Sequence, residues 1–451
     1  MSLSIVILAA GKGTRMNSAL PKVLQPLGDR PMLQHVIDTA SKLDPSRICV
    51  VIGHGAESVQ ERISSPVEWV MQTEQKGTGH AVQQALPNIP DDDDVLVLYG
   101  DVPLTRLETL LELMGAGEGI GLLTVDLDNP QGYGRIVREG GKVVAIVEEK
   151  DASEDQRQIK ETNTGILSGR CKVLNDLLSL TDSDNAQGEY YLTDVFALAH
   201  ERGIAINTAQ AADEWEVSGV NNKDQLTTLE RQYQSLQVQA LLDAGVTVKD
   251  RSRLDIRGSV STGRDVSLDV GVVFEGSVTL GDNVSIGPYC VIKNTSIAAG
   301  TVVAAHSVIE DADVGGDCKI GPFARLRPGT TLAGKNNVGN FVEIKASTVG
   351  LGSKVNHLSY IGDAELGERV NVGAGTITCN YDGAFKHKTV LGSDVFVGSN
   401  SSLVAPINIG SGVTVGAGST LSKDVGDGAL SFTRAKQKTI ENWPRPTKDK
   451  G

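Results

Sequence analysis

The residues of this 451-residue chain best suited to chemistry fall into two groups far apart in sequence. The first opens with Leu8-Ala9-Ala10-Gly11-Lys12-Gly13-Thr14-Arg15-Met16, and Pro21-Lys22 follows closely. A glycine-rich turn at the C-terminal end of a strand lets backbone N–H groups approach phosphate oxygens. Arg15 and Lys22 add fixed positive charge where a leaving phosphate would develop negative charge. The string is not a Walker A loop, which needs Gly-Lys-Ser/Thr after four intervening residues. Nor is it a dinucleotide fingerprint, since Met16 stands where the third glycine belongs. Further on, an apolar run at 95–99 leads into Gly100-Asp101-Val102-Pro103. A carboxylate just past a buried strand sits where open α/β sheets bind ligands. There it suits Mg2+, a hard cation that prefers oxygen donors and substrate phosphates. The less favoured reading of Asp101 is a turn or helix-cap residue.

The second group runs through Arg325-Leu326-Arg327-Pro328-Gly329, Asn340-Phe341-Val342-Glu343-Ile344-Lys345 and Asn356-His357-Leu358-Ser359-Tyr360-Ile361-Gly362. A histidine with an ordinary pKa of ~6.5 is a natural general base for an amine attacking an acyl carbonyl. Arg327 and Lys345 could clamp a phosphate. By residue type alone, His357 could as well be a surface histidine stacked on its neighbours.

Two kinds of architecture must position these groups. From residue 1 to 222, apolar runs at 5–10, 47–52 and 95–99 alternate with helical spacing, as at 32–43. This predicts a Rossmann-like α/β domain on a mostly parallel sheet. Over 223–245, Leu226, Leu229, Tyr233, Leu236 and Leu241 recur at helical spacing and Gly245 supplies a stop, predicting a linking helix. From 246 to 451 the period becomes six. Leu280, Ile286 and Ile292 set the step. Val308, Val314, Ile320, Leu326, Leu332, Val338 and Ile344 continue it, and Leu391, Val397, Leu403, Ile409, Val415 and Leu421 resume it. Three short strands per coil, with glycine at tight corners, make this a left-handed parallel β-helix of hexapeptide repeats. The step breaks between Val372 and Leu391, around Thr378-Cys379-Asn380-Tyr381-Asp382-Gly383. A loop ejected from a solenoid is a candidate functional element, or else a tolerated insertion.

Composition fits this division. Glycine is abundant at 51 residues and aromatics are scarce at 4%, as turn-rich repeats require. A net charge of -14 argues against broad nucleic-acid binding. The five cysteines form no CxxC pair and read as reduced thiols of a cytoplasmic protein. No run approaches the ~20 apolar residues that span a bilayer, and no secretory signal is evident.

The string 8–16 resembles the signature of sugar-nucleotide pyrophosphorylases, and Gln72-Thr73-Glu74-Gln75-Lys76-Gly77-Thr78-Gly79-His80 looks like their nucleobase-contacting stretch. From residue 3 to about 434 the chain resembles the bacterial bifunctional N-acetylglucosamine-1-phosphate uridylyltransferase/glucosamine-1-phosphate acetyltransferases. Gly375-Thr376-Ile377-Thr378-Cys379-Asn380-Tyr381-Asp382-Gly383 is especially specific to them. The resemblance implies acetylation of glucosamine 1-phosphate by acetyl-CoA, then UMP transfer from UTP to N-acetylglucosamine 1-phosphate, for cell-wall and lipopolysaccharide precursors. It assigns Leu8, Ala9, Ala10, Gly11, Lys22, Gln72, Gly77, Thr78, Tyr99, Gly100, Asp101, Gly134, Glu148, Asn163 and Asn221 to the sugar nucleotide, with Arg15 and Lys22 catalytic. Asp101 and Asn221 would share Mg2+. It makes His357 the acetyl-transfer base and gives the sugar phosphate to Arg327, Lys345, Tyr360 and Asn371. Ala374, Asn380, Tyr381, Ser399, Ala417 and Arg434 would line the acetyl-CoA groove. It also implies a homotrimer with shared acetyltransferase sites. One rival is a nucleotidyltransferase whose β-helix only assembles. Another is a non-enzymatic relative, against which the presence of Arg15, Lys22, Asp101 and Asn221 speaks.

Overall fold

A computed structural model describes residues 2–448, so the last three residues of the stretch expected at 246–451 lie outside the described residues. The chain forms two compact units, one reaching Tyr233 and the other starting at Gln234.

In the first unit the strand Leu3–Leu8 lies between Arg47–Ile52 and Asp94–Tyr99, parallel to both. Its sequence, LSIVIL, is almost wholly buried, as expected of an interior parallel strand covered on both faces. Successive side chains go to opposite faces. Ile5 and Ile7 pack with Leu33, Val36 and Ile37 of the helix Met32–Ser41. Val6 and Leu8 pack with Ala81, Val82 and Ala85 of the helix Thr78–Ala85. Glu68–Met71 extends the sheet beyond Arg47–Ile52. On the other side Glu161–Arg170 enters antiparallel between Asp94–Tyr99 and Ile120–Asp126, and Ile206–Gln210 closes that edge in parallel. This seven-strand path is therefore mostly parallel with one reversed strand, Arg135–Glu139 and Lys142–Val147 add an antiparallel pair to the sheet through Glu161–Arg170, and the central strands end at the loops carrying residues 8–22 and 100–103.

The helix Lys223–Asp243 follows. Leu229 and Tyr233 pack with Met16, Leu27 and Met32, while Val238 and Leu241 belong to the core of the second unit. The expected Leu236 is exposed and Val238 is buried instead, because the buried stripe changes position where the helix passes from one core to the other.

The second unit is a parallel β-helix. Leu268, Ile286, Val303, Ile320, Val338, Val355, Val372, Val397 and Val415 stand in register along one sheet, each buried against the next coil. Phe274, Ile292, Ile309, Leu326, Ile344 and Ile361 form a second column. Val308 is therefore not a core residue as the six-residue count expects: Ile309 takes its place, and Val308 is half-buried. Glycine takes tight corners with positive φ as expected, for example at Gly271, Gly300 and Gly352, but it neither holds every corner nor serves only there. Several corners with positive φ carry Asn, Asp or aromatic residues, among them Asp265, Asn283, Tyr289 and Phe323. Gly281 and Gly287 are needed for another reason. A Cβ there would lie 2.6 Å and 2.9 Å from backbone nitrogens of the next coil. Those glycines serve close approach between coils, not backbone handedness.

Coil length is nearly constant except at one place. Glu343 pairs with Tyr360 and Tyr360 with Ile377, seventeen residues on in each case. Ile377 pairs with Ser402, twenty-five on, so this coil carries the ejected loop.

Candidate functional sites

The loop after Leu3–Leu8 is held from both sides. Ala9 donates its N–H to the Val51 carbonyl (2.8 Å), and Gly100 donates to the Leu8 carbonyl (2.9 Å). Gly100 is buried, and a Cβ there would stand 3.2–3.3 Å from Leu33, Ala9 and Val23. It packs beneath the loop and does not line the cavity. Gly13 adopts φ +58°, and a Cβ there would lie 2.6 Å from Lys22 Cβ. The glycine turn is thus the seat on which Lys22 rests.

Lys22 points its ammonium at Asp101 in a half-buried ion pair. Lys22 Nζ also lies 3.3 Å from Asn221 Oδ1, which accepts a second bond from Arg15 Nη2 (2.9 Å). The Val220 N–H donates to the Asp101 carbonyl at 3.0 Å. Four residues that are scattered over two hundred positions of sequence therefore meet at one point.

Two cavities adjoin there and share Tyr99, Asp101 and Asn221. The larger, about 570 Å³, is lined by Leu8, Ala9, Ala10, Gly11, Lys22, Gln72, Gly77 and Thr78, all singled out in the sequence. The smaller, about 330 Å³, is lined by Arg15, Gly134, Glu148 and Asn163. Gln72 is buried and bridges the Gly77 carbonyl (3.1 Å) and His80 Nδ1 (3.1 Å), which fixes the turn before the helix Thr78–Ala85. Gly77 has φ +108°, and a Cβ would strike the Tyr190 carbonyl at 2.5 Å. The Thr78 hydroxyl accepts from the Leu192 N–H at 3.1 Å. In the smaller cavity Asn163 accepts the Gly165 N–H (2.9 Å), and its own N–H donates to the Gly134 carbonyl (2.9 Å). Burial raises the pKa of the Glu148 carboxyl, opposed by the Thr193 hydroxyl at 3.2 Å. Burial, with Glu148 and Asp101 nearby, also raises that of Tyr99.

Lys12, Gln75 and Glu189 line the larger cavity as well, although sequence reasoning gave them no role. Gln75 donates to the Ala10 carbonyl at 2.7 Å and so ties the two strings together. Its presence inside the motif 72–80 was the available signal.

On the β-helix the second group divides around a corner. Asn340 is in register with His357. Ala374, Ser399 and Ala417 each stand two residues past the aligned Val372, Val397 and Val415, so they continue the same column over successive coils. Close packing is enforced beside it, since a Cβ on Gly398 would lie 2.4 Å from Ala417 N. Arg434 lies near the top, its guanidinium 5.4 Å from the Phe432 ring centroid. Asn371 belongs to the neighbouring row between Lys354 and Phe396. His357 is exposed, and its Nδ1 is 3.1 Å from Asn340 Oδ1.

Past Leu358, Tyr360 begins a polar cluster. Asn380, buried, donates to the Asp363 carboxylate and lies 3.4 Å from the Tyr360 hydroxyl. Gly362 leaves room for this, since a Cβ there would sit 2.4 Å from that hydroxyl. Lys345 Nζ is 3.7 Å from Asp363, and Arg327 pairs with Glu343 at 2.7 Å. The ejected loop folds back as a small hairpin: His387 donates its N–H to the Asn380 carbonyl (2.8 Å), and Tyr381 bridges to Lys386. Tyr381 is exposed, and its hydroxyl donates to the Gly383 carbonyl at 2.6 Å. The hairpin brings Lys386, which sequence reasoning missed, against Lys345. The neighbouring ammonium depresses the pKa of Lys386. Two cations side by side, with Arg327 and Tyr360 close by, form a place where an anion is favoured.

Comparison with known proteins agrees with this division. Residues 5–139 match the MobA-like NTP transferase domain, 256–338 the GMPPB C-terminal domain, and 388–423 six bacterial transferase hexapeptide repeats. The chain is 56% identical over 451 residues to a bifunctional protein GlmU of Marinobacter nauticus, covering 99% of both chains. Among solved structures, a putative glucose-1-phosphate thymidylyltransferase from Bacillus anthracis in complex with a sucrose is 21% identical (TM-score 0.42), covering 51% of this chain and 94% of that one. A UDP-glucose pyrophosphorylase complexed with UDP-glucose is 17% identical (TM-score 0.44), covering 52% of this chain and 98% of that one.

Proposed function

The chain belongs to the GlmU family of bifunctional enzymes, which make UDP-N-acetylglucosamine by acetyl transfer and uridylyl transfer, and from that premise we propose how its residues divide the two reactions. The carrying observation for the first site is the convergence of Arg15, Lys22, Asp101 and Asn221 where two cavities meet. UTP occupies the larger cavity, its phosphates against the backbone of residues 8–11, and N-acetylglucosamine 1-phosphate the smaller. A phosphate oxygen of the sugar attacks the α-phosphorus, the bond to the β-phosphate oxygen breaks, and pyrophosphate leaves. Arg15 and Lys22 neutralise the charge that develops.

The donor set suits Mg2+. One carboxylate oxygen of Asp101 and the amide oxygen of Asn221 converge on a single cationic nitrogen, Lys22 Nζ. Among the described residues no group of three or more His, Cys, Asp and Glu could hold a metal alone. Two hard oxygens completed by substrate phosphates and water are the arrangement Mg2+ favours. When bound, it would neutralise phosphate charge.

For acetyl transfer, His357 is the base. Its Nδ1 donates to Asn340 Oδ1, which leaves the Nε2 lone pair to take a proton from the glucosamine amine as that amine attacks the acetyl-CoA thioester. Arg327, Lys345, Tyr360 and Lys386 hold the sugar phosphate, with Asn371 beside the acceptor. Asn380 and Tyr381, with the column Ala374, Ser399, Ala417 and then Arg434, receive acetyl-CoA.

The site is completed by association into a homotrimer. Support comes from apolar side chains left in solvent beside it. Tyr289, His306, Phe323 and Phe341 form a stacked ladder with centroids 4.8–5.4 Å apart, ending at exposed Leu358 next to His357. Phe432, Ile440 and Trp443 of the C-terminal segment are also exposed. Solvent-facing apolar patches of this kind mark association surfaces. No helix among the described residues is long and apolar enough to cross a membrane. The free thiols and the two nucleotide-bearing substrates fit a cytoplasmic setting.

The test is to incubate the protein with glucosamine 1-phosphate, acetyl-CoA, UTP and Mg2+ and follow the sugars by mass spectrometry. His357→Ala should stop at unacetylated sugar but still uridylylate added N-acetylglucosamine 1-phosphate, and Asp101→Ala should accumulate N-acetylglucosamine 1-phosphate. Loss of both activities in either variant would contradict the division.

A further inference from the structure

The segment between the edge strand Ile206–Gln210 and the helix Lys223–Asp243 carries Asn221, and it lies as a strap over residues 101–109. Its short helix Glu214–Val217 contains a side chain that is out of place by ordinary rules. Glu216 is fully buried, and neither carboxylate oxygen has a hydrogen-bond partner of good geometry. The nearest cation is Arg106, whose Nε is 3.6 Å away. Arg106 is already engaged, with Nη2 2.8 Å from Asp213 and its guanidinium stacked 4.6 Å from the Trp215 ring centroid. Burial raises the pKa of Glu216, opposed by the Thr109 hydroxyl and by Arg106. Thr109 stands in the first turn of the helix Leu107–Gly115, whose N-terminus has no side-chain cap from Arg106, so the acid lies at the positive end of that helix.

An acid buried this way is weak evidence for stability, because an apolar side chain of similar volume often does as well or better. Its placement explains what else it does. The Thr105 hydroxyl lies 3.2 Å from the Glu216 carbonyl, and the Val220 N–H donates to the Asp101 carbonyl at 3.0 Å. Val217, Gly219 and Asn221, the next part of the strap, line the smaller cavity with Asp101. Glu216 is thus the plug that seats the strap on the very stretch of chain that begins at Asp101.

We propose that Glu216 is a positioning residue for uridylyl transfer: its carboxyl, set against Arg106 and Thr109, locks the strap 213–221 so that Asn221 is held opposite Asp101. Glu216 touches neither substrate nor metal and acts through Asn221. The inference rests on Asp101 and Asn221 forming the metal-binding pair, as assigned above.

The test uses the full chain and Mn2+ as a spectroscopic substitute for Mg2+. Bound Mn2+ is measured by electron paramagnetic resonance with UTP present, beside steady-state uridylyl and acetyl transfer. Glu216→Leu keeps the volume and removes the acid. We expect its Mn2+ dissociation constant to rise roughly ten- to a hundredfold, the range found when groups that orient a metal ligand are lost. The kcat of uridylyl transfer should fall with it, while KM for N-acetylglucosamine 1-phosphate and acetyl transfer change little. Asp101→Ala is the reference. Wild-type Mn2+ affinity in Glu216→Leu beside weakened affinity in Asp101→Ala overturns the role of Glu216 alone. Unchanged affinity in Asp101→Ala overturns the metal assignment and the strap inference with it. Where Glu216→Leu does not fold, Glu216→Asp, which keeps the acid one methylene short, carries the same criterion.

Discussion

The nucleotide loop makes two glycines neighbours in sequence and opposites in consequence. Gly13 has φ +58°, which costs an alanine about 1–2 kcal/mol. Its Cβ would also lie 2.6 Å from Lys22 Cβ, where ordinary contact begins at 3.4 Å. Lys22 Cβ is attached directly to the backbone, so the overlap cannot be relieved by a rotamer change, and the loop or Lys22 must move by about 0.8 Å. A misplacement of about 1 Å near a reacting centre can cost about 10²-fold in rate. Gly13→Ala should therefore lower kcat of uridylyl transfer by about 10²-fold. Acetyl transfer, measured on the same sample by release of free CoA thiol, should be unchanged. Gly11 differs, because its φ is not in the left-handed region and nothing lies within 4 Å of an added Cβ. Gly11→Ala should fold and melt as the parent does. Yet if the backbone of residues 8–11 receives the UTP phosphates, the methyl enters the ligand's space and KM for UTP should rise about tenfold or more. Pyrophosphate release with varied UTP reads both variants. A Gly11→Ala enzyme with the parent's KM would refute the placement of UTP against this backbone. A Gly13→Ala enzyme with kcat within threefold of the parent would refute the claim that the turn fixes Lys22.

Other expectations follow from the same geometry. Asn340→Ala removes the acceptor that sets the His357 tautomer, so kcat of acetyl transfer should fall, within the ~10²–10⁴-fold that full loss of a general base costs, while uridylyl transfer stays constant. Lys386→Met should raise KM for glucosamine 1-phosphate more than it lowers kcat, because Lys386 stands with Lys345 at the anion position; an unchanged KM would remove it from the site. Asp194 is raised to about 6 by burial and by Asp182, Glu148 and Asp151. Its folded value exceeds its unfolded one, so the native state holds the proton more tightly and stability falls as pH rises from about 4 through 6. Asp194→Asn should accordingly raise the melting temperature at pH 8 and change it little at pH 4; an equal gain at both would contradict the assignment.

What the sequence discloses depends on the range of the interaction. The strand Leu3–Leu8 is legible because its pattern is local: a continuous apolar run tells of two covered faces without any partner being known. The six-residue step is legible for the same reason, and it slips where register becomes a matter of three dimensions. Leu326 pairs with Ile344, eighteen residues on, whereas Ile309 pairs with Leu326, only seventeen on, so a fixed count of six carried back from Leu326 lands on Val308 when the core residue is Ile309. The repeat glycines were visible, but their reason lies in the next coil's backbone, which a single repeat does not contain. The candidate site divides likewise. Strings such as 8–16 and 72–80 carry their chemistry in consecutive residues, and the structure gathers them into one cavity. Lys386 sits in Phe385-Lys386-His387-Lys388, which reads as an ordinary solvated stretch until the hairpin folds it onto Lys345. Glu216 in Asp213-Glu214-Trp215-Glu216 has no distinguishing neighbour in sequence, and only its complete burial beside Arg106 sets it apart from the other acids of that segment. Groups that act directly on phosphate need particular residue types in particular strings and so leave a mark. Groups that hold those residues in place need only the right volume and charge at one point in space. In this chain the burial of an acid is the mark they leave, and it becomes visible only after folding.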